Sequence, residues 1–187
     1  MNEEIWRAYH RDGILVALEV AATTMADGDF NTVTLETLVR ICIDAGQFEE
    51  ADRYSRALIR QSTGSRSHAL AGLAKEGQGN LKAANRHVDI ALENNPFDAE
   101  ALNLKGMLAY DLQEMEQANS YFRASIQADP GCGEPYANLA IMSWEEDPQA
   151  ALKWAKRAFQ LSPHKADIAE LFQNAVTLLE GFEDGIP

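Results

Sequence analysis

Asp27, Asp29 and Asn31, in the run DGDFNTVTLE, stand at the first three ligand positions of a calcium loop, between two stretches with helical apolar spacing. Such a loop also needs a glycine where the chain turns sharply and a bidentate glutamate to close the shell, and Thr32 and Leu38 occupy those places. The run is therefore read as a polar interhelical loop with a helix N-cap, and no metal is expected. GQGN from Gly77 resembles part of a dinucleotide loop, but no strand precedes it, so it reads as a helix–helix turn. His10, His68, His87 and His164 are read as belonging to different structural units, without an HExxH or other paired spacing, and so as packing or surface residues. QSTGSRS has no nucleophile-elbow pattern. No cofactor and no catalytic residue follow from these fragments, and the chain is read as a non-enzyme.

Charge narrows the partners. The formal net charge is −13, which would repel phosphate backbones and anionic membrane surfaces, so neither nucleic acid nor membrane is expected. Arg53, Arg56 and Arg60 line one side of a helix and could form an anion-binding strip, although such arginines more often pair with neighbouring acids. Cys42 and Cys132 lie far apart with no ligand-like spacing and read as reduced thiols of a cytoplasmic protein. GILVALEVAATTMA, from Gly13, is too short to span a bilayer, and Glu19 interrupts it; a packed helix is expected.

The elements that must position these residues repeat. Pro96, Pro130 and Pro163 fall 34 and 33 residues apart, and Ala84, Ala118 and Ala151 keep the same intervals. Gly72, Gly106 and Ala140 recur every 34; Ala91, Ser125 and Ala158 follow at 34 and 33; Gly46 and Ala51 extend the frame backwards. Small residues permit close helix crossing, so Gly106 is expected against Ala118 and Ser125. Each proline ends a second helix, at Asn95, Asp129 and Ser162. AGQFEEA, GQGNLKAA and LQEMEQA place a turn ahead of Phe48, Leu81 or Met115, each expected to pack back into its hairpin.

On these spacings the chain resembles the tetratricopeptide repeat family from about residue 31 to residue 165. It departs from the pattern in a shortened hairpin around Ala51, in Lys105 where the family usually has leucine, and in EEDPQAA where it usually has a glycine turn. The resemblance implies an all-α fold: an α-solenoid, a right-handed superhelix of stacked helical hairpins with flanking terminal helices. The expected organisation is 1–30 as an N-terminal helical segment, 31–64 as a degenerate hairpin, 65–98, 99–132 and 133–165 as repeats, and 166–187 as a capping helix and tail. In the capping helix Ile168, Leu171, Phe172, Ala175, Leu178 and Leu179 share one face, as an open stack requires for solubility. Trp6, Ile14, Leu15 and Leu18 are expected to cover the opposite edge, or to form a homodimer through the N-terminal helix.

The resemblance also implies a site. First helices of successive units line a concave groove that accepts a peptide or helix, which here picks out Glu36, Arg40, Ala69, Leu73, Glu76, Asn103, Met107, Tyr110, Asp111, Asn138, Ile141, Trp144 and Glu145. The basic clamp that one subset of the family uses for chaperone tails is replaced by Glu36, Ala69 and Ala137. A protein or peptide with apolar anchors and basic flanks is the expected partner, and an adaptor or assembly scaffold the expected role. The linker-like ending EGFEDGIP would suit an adaptor that is the interaction module of a larger polypeptide; two alternatives are a small acidic secretion chaperone and the regulatory domain of a larger enzyme.

Overall fold

Four helices end in the same way. At Ser62, Asn95, Asp129 and Ser162 the backbone leaves the helical region, with φ of −146°, −146°, −142° and −134°, while each N–H still donates to the carbonyl four residues back. Proline follows three of these residues and holds its predecessor out of the helical region; Ser62 stops without one. The structure, a computed structural model, describes residues 3–26 and 31–183, with the side chains of 22, 24–26 and 179–183 outside that description. Asp27, Asp29 and the end of the linker-like tail therefore lie outside it, and so does the side chain of Leu179.

Among the described residues there are eleven α-helices and no strand: α1 Glu3–Asp12, α2 Ile14–Ala26, α3 Thr32–Asp44, α4 Phe48–Gln61, α5 Ser65–Gly77, α6 Leu81–Asn94, α7 Ala99–Asp111, α8 Met115–Ala128, α9 Glu134–Ser143, α10 Pro148–Leu161 and α11 Ala166–Glu183. They fall into two compact units, Met1–Leu104 and Lys105–Pro187, and the division lies inside α7. None of these helices is long and apolar enough to cross a membrane.

In the first unit the N-terminal segment is two helices rather than one, broken at Gly13, whose φ of +88° favours a residue without Cβ. Ile5, Ala8, Ala17 and Ala21 bury against Leu38 and Ile41 of α3, with Trp6, Ile14 and Leu18 leaning on the same cluster. Leu15 does not join them; it is 75% exposed, on the side of α2 turned away from α3. The pairs α3/α4 and α5/α6 are hairpins. Gly46 (φ +69°) and Gly79 (φ +73°) close their turns, and the next N–H reaches back five residues, Gln47 to Cys42 and Asn80 to Lys75. Asn31 caps α3 by accepting from the Thr34 N–H at 2.8 Å, and Asn80 caps α6 by accepting from Ala83 at 3.1 Å. Gly72 lies where a Cβ would come within 2.9 Å of Leu104 Cδ2 and 3.3 Å of Val88 Cγ2.

The second unit repeats the turn with Gln113 in place of glycine, at φ +63°, and Glu114 donates back to Ala109. A Cβ on Gly106 would lie 2.6 Å from Phe122 Cε1. The close approach predicted at Gly106 is therefore an aromatic ring seated on the glycine, one turn from each of the buried Ala118 and Ser125. After α9 there is no glycine turn: Asp147 caps α10, accepting from Ala150 at 2.9 Å, and Pro148 opens the helix. Ile168 and Ala175 of α11 bury against α9 and α10, with Leu171 and Phe172 beside them, while Leu178 stays half exposed.

One packing expectation needs correction in both units. The Phe48 ring reaches the next hairpin, where it fills the place of a side chain at Gly77. Leu81 and Met115 are more than a third exposed. Each opens its helix, and helical side chains lean toward the preceding turn, which at a first residue is loop and solvent.

Candidate partner-binding surface

In the first unit, the predicted groove positions are closed by charge. Arg40, one turn from the end of α3, grips Glu100 in the first turn of α7, Nη1 to Oε1 at 2.9 Å and Nη2 to Oε2 at 2.8 Å. This is the bidentate geometry in which arginine holds a carboxylate most firmly. Burial opposes the arginine's charge, and Glu100, supported by Glu36 and Asp44, more than restores it, so its pKa is raised. One turn earlier on α3, Glu36 accepts Arg66 Nε of α5 at 2.8 Å. Ala69 is wholly buried with Ala91 and Ala101, and Asn103 is buried as well. Leu73 leans on Leu35, Val39, Leu70 and Ala74, and Glu76 is half-buried in the last turn of α5.

The second unit presents different chemistry. Met107 and Tyr110 are half-buried on α7 and rest on Ala109, Ala118, Phe122 and Leu139. Asp111 ends that helix in solvent. On α9, Asn138 is half-buried and Ile141 is 49% exposed. Trp144 caps α9 and packs on Ala140, Ala155 and Ala175, so it belongs to a different cluster from Tyr110; Glu145 beside it is exposed. The structure thus brings Met107 and Tyr110 together and puts Trp144 on the apolar seam toward α10 and α11.

Several side chains have partners that linear spacing did not reveal. Buried Asp52 on α4 accepts both Lys75 Nζ and Arg56 Nη2 at 2.8 Å, and Arg53 pairs with Glu50. Two of the three arginines in the strip are thereby engaged. His68 on α5 and His87 on α6 meet with their Nδ1 atoms 3.1 Å apart, which corrects the reading of isolated histidines: nineteen residues of separation become proximity when the hairpin closes. Cys132 Sγ donates to Glu134 Oε2 at 2.9 Å, and Lys165 pairs with the same carboxylate. Burial and the Glu134 hydrogen bond push the Cys132 thiol up to about 12, and burial alone carries Cys42 to about 11, so neither is a reactive thiolate. Among the described residues no three His, Cys, Asp or Glu side chains gather into a metal site.

The tetratricopeptide repeat family model matches residues 69–131, from the second turn of α5 through α8. Outside them the fold carries the likeness. A thermophilic tetratricopeptide protein of Thermus thermophilus, TTC0263, superposes with a TM-score of 0.76 at 16% identity, over 94% of this chain and 96% of that one. The protein MamA gives 0.58 at 18% identity, over 86% and 95%. YrrB, described as a tetratricopeptide protein with an unusual peptide-binding site, gives 0.51 at 19% identity, over 90% and 83%. No curated protein matches the chain in sequence. The fold is thus that of an α-solenoid of helical hairpins, an architecture suited to protein–protein interaction, since stacked hairpins expose extended binding surfaces.

Proposed function

We propose that the chain is a non-catalytic cytoplasmic adaptor or assembly scaffold that binds a peptide or helix of another protein. Its anchoring surface is the first-helix face of the second unit. The observation that carries this reading is that α7 and α9 carry Met107, Tyr110 and the half-exposed Ile141, apolar and aromatic, with the exposed acids Asp111 and Glu145 at and just beyond the ends of the same helices. Aromatic side chains supply contact area at low conformational cost, and methionine adapts to an irregular partner. The acids favour a partner with basic flanks. The peptide-binding site in the description of YrrB supports the same use of the fold.

In the first unit Arg40 and Glu36 serve the fold before they serve a partner, because each already holds an opposite charge. The test is affinity capture with the whole chain and identification of the bound protein. Association rates are then measured across a salt series for the wild type and for Asp111→Asn with Glu145→Gln. The double variant is expected to associate more slowly and with a flatter salt dependence, at nearly unchanged dissociation. An unchanged association rate and salt slope would remove the acids from the site.

A further inference from the structure

The pair His68–His87 stands apart from the partner-binding surface and has a chemistry of its own. Its two rings are tilted by 34° with centroids 5.3 Å apart. That is nearly the longest centroid separation two imidazoles can have with nitrogens 3.1 Å apart, so each Nδ1 points at the other. Two ligands of one metal ion would instead aim both lone pairs at a common third point. This geometry is a hydrogen bond, and it requires one ring to carry a proton on Nδ1 and the other to offer a lone pair there.

We infer that the His68–His87 pair is an acid-sensitive latch across the α5/α6 hairpin, holding through its first added proton and opening at its second. The first proton enters at the outward Nε2 of the donor ring. It leaves the N–H···N bond in place and makes it charge-assisted. The only nitrogen left for the second is the accepting Nδ1, and protonation there sets two N–H groups head to head at 3.1 Å. The rings must then separate, and they sit on the two helices of one hairpin.

The surroundings favour the neutral state. Burial lowers the pKa of His68; burial, then His68, Lys75 of α5 and Arg86 of α6, lower that of His87, against which only Asp52 of α4 pulls upward. Asp52 is itself held by Lys75 and Arg56. The charges on the other packed elements are spent on each other, Glu36 of α3 with Arg66 and Arg40 with Glu100 of α7. With both native pKa values below the unfolded one, the unfolded chain binds more protons. The stability the pair contributes is complete above about pH 6.5 and is lost as pH falls below it.

Two-bond proton–nitrogen spectra of the whole chain, labelled at histidine nitrogen and followed from about pH 8 to about pH 4.5, test this across the imidazole range. The expected result at high pH is one Nδ1–H ring and one Nε2–H ring, which then take up protons in two separated steps. The protection factors of amides within α5 and α6, which correct for the intrinsic slowing of exchange in acid, should fall by up to about tenfold per pH unit in the second step. His87→Gln should abolish the two-step titration and flatten that fall. If both rings report the Nε2–H tautomer and titrate independently, or if equimolar zinc ion shifts both Nδ1 signals, the latch is wrong. The wild-type spectra decide this even if the variant fails to fold.

Discussion

The first-helix faces of the two units are built from the same repeat and finished with opposite chemistry. In the first unit Arg40 and Glu100, then Glu36 and Arg66, tie α3, α5 and α7 together, and Ala69 and Asn103 are buried. In the second, α7 and α9 carry Met107, Tyr110 and Ile141 with acids alongside. A repeat fixes the spacing of the backbone, and the residues outside its signature decide whether a face spends its side chains on itself or offers them to a partner.

The largest expected effect lies at the crossing that holds the second unit. Gly106→Leu must displace the Phe122 ring and should cost about 3 kcal/mol or more, read from denaturant midpoints. The matching Gly72→Leu meets the end of a leucine side chain, Leu104 Cδ2, which can turn aside; a smaller loss, about 1–2 kcal/mol, is expected. Equal losses would mean that the two crossings are packed alike.

Charge should matter more in the first unit. Asp52→Ala leaves Lys75 and Arg56 facing an uncharged site and should cost about 2–3 kcal/mol, because Asp52 is buried. Glu100→Gln, which loses a bidentate pair at a quarter-exposed site, should cost about 1 kcal/mol and less at high salt. A loss that is independent of salt would contradict an electrostatic closure of that face.

An ionic tie within the second unit has a defined pH window. Burial works against the Glu134 carboxylate, yet hydrogen bonds from Cys132 and Lys165 outweigh it and hold the pKa down to about 2. A depressed carboxylate pKa gives stability that is present above the unfolded value of 4.5 and is lost as pH falls toward 2. Lys165→Met should therefore shrink the acid-induced drop in melting temperature between those limits; an unchanged drop would sink the assignment. The smallest effect is expected at the turn. Gln113→Gly relieves a left-handed residue where the first unit has Gly46 and Gly79, and should stabilise by roughly 0.5 kcal/mol, the strain relieved exceeding the entropy glycine adds to the unfolded chain.

The hairpins were legible in the sequence because their determinants recur at fixed intervals. Asn95, Asp129 and Ser162 stop helices where the prolines predicted, and Gly72 and Gly106 sit at crossings. Side chains whose partners depend on the closing of a hairpin or the stacking of two were not legible. Arg40 and Glu100 are sixty residues apart, and His68 and His87 nineteen, with no period linking them. The ring over Gly106 was missed for a related reason: the frame marks small residues, while Phe122 stands where the first unit has Val88, so the larger side chain obeys no repeat. Trp144 was assigned to the groove through the family resemblance; spacing alone could not show that the helix ends at Ser143 and that the indole packs on Ala140, Ala155 and Ala175.

The central claim, that a protein partner is anchored on the first-helix face of the second unit, is tested most directly by titration calorimetry with the captured partner. Tyr110→Ala with Ile141→Ala is compared with Arg53→Ala and Arg60→Ala on the outer face of α4, each variant first checked for an unchanged melting temperature. The groove pair is expected to weaken binding by about 2 kcal/mol or more, a thirtyfold loss of affinity, and the outer pair to change it little. Binding abolished by the arginine pair and untouched by the groove pair would contradict the account and move the site to α4.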